Sequence, residues 1–281
     1  MSNEQEEISR RAIVIGINTY PGLPPKRQLK GAENDALEIA DRLEKDGKFV
    51  VEKLIGYNEA TYLKIRTALS KVFYKEAKRY DIVLLFYAGH GIIDGHGNLY
   101  LASSDMQEDD PFVNGIDTNY IDKVISLYIE MYRNEVPVLI LLDCCHSGIA
   151  AGEVSRSRSL TSSSSGTSEI TNTDFISSVQ KSFGEGKYYF TSSAAAQVSK
   201  ELSLPHAFRP TEKHDHGAFS YHLIEALDGG AADEKGEVSF LNVIKYMENK
   251  PDKEKLGQKF TSKITRGANI SKIRILTSSE L

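Results

Sequence analysis

Asp81-Ile-Val-Leu-Leu-Phe-Tyr87-Ala-Gly-His90-Gly91 decides the fold. Its apolar run, Ile82–Tyr87, is continuous rather than alternating and ends in a histidine between glycines. A short continuous run of this kind marks a strand covered on both faces, the usual state in a parallel sheet. A second such run, Val136–Leu142, leads into Asp143-Cys144-Cys145-His146-Ser147-Gly148. Ala12–Ile17 and Phe49–Ile55 read as further strands. Between them lie stretches with helical spacing: Leu37, Ile39, Ala40 and Leu43; then Leu63, Ile65, Ala68, Leu69 and Val72 behind Thr61 as N-cap. Tyr120–Tyr132 has the same period. Strands alternating with helices predict an α/β domain with a mostly parallel central sheet flanked by helices.

Composition narrows the class. The 281 residues are 40% hydrophobic and 26% charged, which excludes a disordered chain or a disulfide scaffold. Two adjacent cysteines, Cys144 and Cys145, cannot form a disulfide framework, and this predicts a reducing compartment. No apolar run approaches the roughly 18 residues of a membrane span. The acidic start, Met1-Ser-Asn-Glu-Gln-Glu-Glu, lacks a signal core, so the expected location is the cytoplasm, with no membrane partner. A net charge of −5 argues against a nucleic-acid partner.

The composition changes after the second histidine motif. Val154–Ser168 holds almost no apolar residues, no acids, and only Arg156 and Arg158 as charges. Such a tract cannot offset its ordering entropy, so a mobile loop is expected from about Glu153 to Asp174. The segment 153–186 thus divides one domain, 1–281, into a larger part, 1–152, and a smaller part, 187–281. In the smaller part Tyr188–Ser192 reads as a strand, Lys200–His216 as a polar excursion, Phe219–Leu227 and Leu241–Met247 as helices, and Ile270–Leu276 as a last strand.

Both histidine motifs are expected just beyond the C-terminal ends of neighbouring parallel strands, where open α/β sheets collect ligands and catalytic groups. An unassisted thiol is only a few per cent thiolate at pH 7. His90 alongside it would supply the base or imidazolium it needs. Gly91 leaves a backbone N–H without side-chain cover, a donor to a developing oxyanion. Asp143, two residues before Cys145, shares its side of the strand by alternation. Zinc is the weaker use of Cys144, Cys145, His146 and His96, because adjacent cysteines do not suit the usual ligand spacing.

Tyr87-Ala-Gly-His-Gly91 followed by Asp143-Cys-Cys-His-Ser-Gly148 resembles the caspase superfamily (peptidase family C14), on its metacaspase-like, prokaryotic side. Arg11–Tyr20, Leu29–Ala36, Tyr188–Ser193 and Gly217–Leu227 share the likeness. The resemblance implies a caspase-like fold and a cysteine endopeptidase acting on protein or peptide substrates, with Cys145 as nucleophile, His90 as its partner, and Cys144 at the variable position. It also implies that Asp35 and Asp143 wall a pocket for a basic side chain. Cleavage after arginine, with lysine as the alternative, is therefore expected, since a guanidinium can engage two carboxylates. Ala32 and Ala88 depart from the family's usual cysteine and serine. The thiol chemistry implies no cofactor. Calcium is implied only weakly: Asp105 and Asp122 match ligand positions, whereas Lys123 and Gly152 stand where acids are usual. Arg156 and Arg158 match the inferred specificity and are candidate processing sites, cut by the enzyme itself or by an upstream activating protease answering to a sensor in stress or defence. The rival expectation is a catalytically silent, caspase-like interaction module.

Overall fold

The computed structural model describes residues 10–94, 96–107, 110–133, 135–146, 187–194, 202–206, 209–250, 258–264 and 273–276. The side chains of 111, 145, 146, 192–194, 202–214, 258–261, 263 and 264 fall outside that description. In chain order the principal elements are β1 (Arg10–Gly16), α1 (Ala32–Lys45), β2 (Phe49–Ile55), α2 (Tyr62–Ser70), β3 (Ile82–Ile93), β4 (Leu99–Ala102), the single turn α3 (Pro111–Asn114), β5 (Gly115–Asp117), α4 (Thr118–Met131) and β6 (Val138–His146). The smaller part contributes β7 (Lys187–Ala194), β8 (Leu202–His206), β9 (Arg209–His216), α5 (Ala218–Glu225), β10 (Val238–Ser239), α6 (Phe240–Glu248), β11 (Gln258–Ile264) and β12 (Arg274–Leu276).

The eight-stranded central sheet runs β11-β7-β6-β3-β1-β2, with β4 paired to the far end of β3 and β5 to β4. The pairs from β2 to β7 are parallel, whereas β11 on β7 and β4 on β3 are antiparallel. Every residue of β3 is buried, as a strand covered on both faces requires. Alternation splits the core in two. Val83, Leu85 and Tyr87 join Ile140 and Leu142 against Ile65 and Leu69 of α2 and Ile121, Ile125 and Tyr128 of α4. Leu84, Phe86 and Ala88 join Leu139 and Leu141 against Ile39 and Leu43 of α1, Phe219 and Leu223 of α5, and Val243 and Met247 of α6. The result is three layers, helix–sheet–helix, as expected.

The strands depart from expectation in instructive ways. β6 starts at Val138 rather than Val136, because Pro137 has no N–H for the ladder and offers only its carbonyl, which accepts from Val83. β3 and β6 both run on past their apolar stretches, so the two histidine motifs lie inside paired strands rather than beyond their ends. The polar excursion contains a hairpin, β8 on β9. Thr61 stands at the N-cap of α2, but its side chain makes no capping bond. The carboxylate of Asp105 accepts from the Tyr62 N–H at 2.8 Å instead. The loop 153–186, with Arg156 and Arg158, lies outside the described residues.

Candidate active site

The β3–β6 ladder holds register from Val83 opposite Val138 to Gly91 opposite His146, and so sets His90 opposite Cys145. Neighbouring strands lie roughly 4.8 Å apart, so the backbones of the two motif residues are in direct contact range. The two cysteines are not equivalent. The Cys144 side chain is 1% exposed and belongs to the core on the α2–α4 side, with Leu142 and Tyr87. Gly91 is inside the sheet, and a Cβ there would meet Cys144 Sγ and Leu99 at 3.4 Å. The missing side chain of Gly91 therefore faces the core, and an oxyanion role must rest on its N–H alone.

His90 is 3% exposed. Its Nε2 lies 2.6 Å from the backbone carbonyl of Arg27. A carbonyl can only accept, so Nε2 carries the proton and Nδ1 presents a lone pair. Among the described residues Nδ1 is buried and has no hydrogen-bond partner. The His90 backbone N–H donates to the Tyr20 hydroxyl at 3.0 Å, and the two rings lie 4.8 Å apart. Burial pushes His90 below its ordinary value, against the opposing pull of the Arg27 carbonyl. Gly89 is dictated by this packing: a Cβ there would come within 2.6 Å of both the Tyr20 and Tyr87 hydroxyls.

Asp35, in the first turn of α1, and Asp143, on β6, converge across Gly217 at the start of α5. A Cβ on Gly217 would collide with the Asp143 carboxylate and reach Asp35 Oδ2 at 3.3 Å. Asp143 Oδ2 accepts from the Ser220 N–H at 3.1 Å and its hydroxyl at 2.6 Å, and so lies at the N-terminus of α5, where a negative charge is favoured. Asp35 accepts from the Gly217 N–H at 3.0 Å and pairs with His216 Nδ1 at 2.7 Å. Behind His216 lies Glu38, 3.5 Å from Nε2, which in turn pairs with Arg42. Burial raises Asp35 to about 7, the His216 hydrogen bond opposing and the Asp143 charge reinforcing the rise. Burial by itself would lower His216, but the hydrogen bond and charge of Asp35, with Glu38 behind, raise it. Both shifts favour the protonated forms of the pair.

Both expected acids are brought together, and the histidine is in register with the expected nucleophile. Arg27, Tyr20, His216 and Ser220 were not anticipated as site residues. A backbone carbonyl has no sequence signature, and His216 is 181 residues from its partner Asp35. Both candidate calcium ligands have partners among the described residues: Lys187 Nζ pairs with Asp122, and Asp105 accepts from the Tyr62 N–H and the Ser103 hydroxyl. No helix among the described residues is long and apolar enough to cross a membrane.

The chain belongs to the caspase domain family, whose model matches residues 9–268. That family is one of cysteine peptidases, which act on protein substrates. None of the curated proteins matches the chain. Among solved structures, a Geobacter sulfurreducens protein superposes with a TM-score of 0.58 at 19% identity, over 95% of this chain and 97% of its own. The Drosophila initiator caspase Dronc superposes with a TM-score of 0.51 at 12% identity, over 91% of this chain and 79% of its own. At these identities the likeness is one of fold.

Proposed function

We propose that the chain is an active cysteine endopeptidase that cuts after arginine or lysine with Cys145 and His90. The observation that carries this reading is the state of His90: Nε2 tied to the Arg27 carbonyl, Nδ1 buried without a partner among the described residues, and the residue in register with Cys145. An imidazole so held is a base lacking only its proton donor. The Cys145 thiol gives its proton to Nδ1 as sulfur attacks the scissile carbonyl carbon, with the Gly91 N–H toward the oxyanion. Nδ1 then protonates the leaving amine as the C–N bond breaks, which leaves a thioester. Water, deprotonated by Nδ1, releases the acid product and restores the thiol.

Asp35 and Asp143 supply the basic specificity, because two buried carboxylates around one glycine favour a cation between them. Cleavage after Arg156 or Arg158, by this enzyme or an upstream protease, is the proposed activation step, and the two halves should stay joined through the β6–β7 ladder. Hydrolysis of a peptide library, with each product mapped by mass, tests the reading. Products ending in arginine or lysine are expected from wild type and absent with Cys145→Ala. Products ending in aspartate would overturn the specificity, and no hydrolysis by wild type cut at Arg156 or Arg158 would favour the silent module.

A further inference from the structure

The Tyr87 hydroxyl donates to the His90 carbonyl from within β3, but the contacts to the His90 ring and N–H come from one loop, between β1 and α1. Tyr20 supplies the ring and the hydroxyl, and Arg27 the carbonyl. That loop contains Pro21, Pro24 and Pro25, so three of its residues have no N–H with which to close it. Backbone bonds close its base, with the Leu29 N–H on the Asn18 carbonyl at 2.9 Å, and its turns, with the Leu23 N–H on the Tyr20 carbonyl at 2.8 Å and the Arg27 N–H on the Pro24 carbonyl at 2.9 Å. A side chain ties these turns together. Gln28 Oε1 accepts from the Tyr20 N–H at 2.7 Å, while Gln28 Nε2 donates to the Tyr20 carbonyl at 2.9 Å and the Leu23 carbonyl at 3.0 Å. The amide orientation follows from the partners, since an N–H must meet the oxygen and carbonyls must meet the nitrogen. Gln28 thereby acts as a spare peptide group inside the loop and ties its Tyr20 side to the residue that follows Arg27.

We propose that Gln28 is a positioning residue for the thiol–imidazole pair: its side-chain amide holds the Arg27 carbonyl on His90 Nε2 and so keeps Nδ1 directed to Cys145. Gln28 touches neither substrate nor His90, and it acts through the loop. The inference rests on the proposed function, since it concerns the same dyad. Losing the clamp lets the Arg27 carbonyl drift, and a carbonyl away from Nε2 no longer stabilises the imidazolium that forms when the thiol gives up its proton. The thiolate then forms less readily, although the pocket for the substrate is unchanged.

The test uses the full chain and two readouts. Gln28→Met keeps the side chain's size and removes every hydrogen bond, and Gln28→Asn shortens the amide by one methylene should the methionine variant fail to fold. Alkylation of Cys145 by iodoacetamide, followed against pH by peptide mass mapping, reports thiolate formation without any substrate. With His90→Ala the alkylation limb should move to about 8.5, the value of an unassisted thiol. Either Gln28 variant should move the limb part of the way there and lower kcat about tenfold, as small displacements of catalytic groups do. KM should stay within about twofold of wild type. A limb that moves in His90→Ala but not in the Gln28 variants would overturn the role of Gln28 alone. A limb unmoved even in His90→Ala would overturn the dyad and this inference with it.

Discussion

Two buried corners at the same end of the sheet handle protons in opposite ways. Around His90 the hydrogen-bond partners are neutral, a backbone carbonyl and two phenols, and the Arg27 charge lowers its proton affinity as burial does. Its proton affinity is therefore governed mainly by burial, which lowers it. Around Asp35 the neighbours are charged or chargeable, from Asp143 and His216 to Glu38 and Arg42. There burial and like charge raise the carboxyl to about 7. A base needs to be empty of protons at working pH, and a buried cage whose one acting charge is positive serves that. A cation site needs negative charge in reserve, which only a crowd of acids provides, at the cost of titrating near neutrality.

The largest effects should break the first corner. Cys145→Ala should abolish peptide hydrolysis, while Cys144→Ala should retain most of it, because the Cys144 side chain is committed to the core. Equal losses would contradict that division. His90→Ala should be nearly as damaging as Cys145→Ala, and the double variant little worse, as members of one catalytic unit do not add.

Smaller effects should follow in the second corner. Asp143→Ala and Asp35→Ala should each lower kcat/KM for arginyl substrates by about 1–3 kcal/mol, the worth of a lost charged hydrogen bond. A matched aspartyl substrate should remain poor throughout.

The pH dependence separates the two corners. As pH falls through about 7, Asp35 takes up a proton and the pocket loses charge, so kcat/KM for arginyl substrates should fall there. His90 stays unprotonated to lower pH, because burial holds it below the ordinary imidazole value. Asp35→Asn should therefore lose the limb near 7 and keep only the more acid one. A single limb shared by both proteins would show that Asp35 does not titrate in that range.

The two corners also differ in how far they could be read from sequence. Cys145 and His90 stand in short contiguous motifs at the ends of apolar runs, so their adjacency followed from parallel pairing. Even there the strands were read too short. Gly89 and Gly91 look like turn residues, yet β3 continues through them, because Tyr20 and Tyr87 fill the space a side chain at Gly89 would need. Asp35 was legible only through family likeness, and Asp143 through that likeness and its alternation with Cys145 along the strand. Their company was not, because His216 comes from a hairpin whose polar composition hid its strands. The Arg27 carbonyl is invisible to any reading of side chains, and Gln28 looks like one polar residue among several in a proline-rich loop.

A peptide ending in an arginyl electrophile, followed by mass mapping of the modified residue, tests the central claim most directly. One adduct per chain on Cys145 is predicted, lost with His90→Ala and slowed with Asp143→Ala. An adduct on Cys144, or equal labelling by the aspartyl version of the same reagent, would contradict the account.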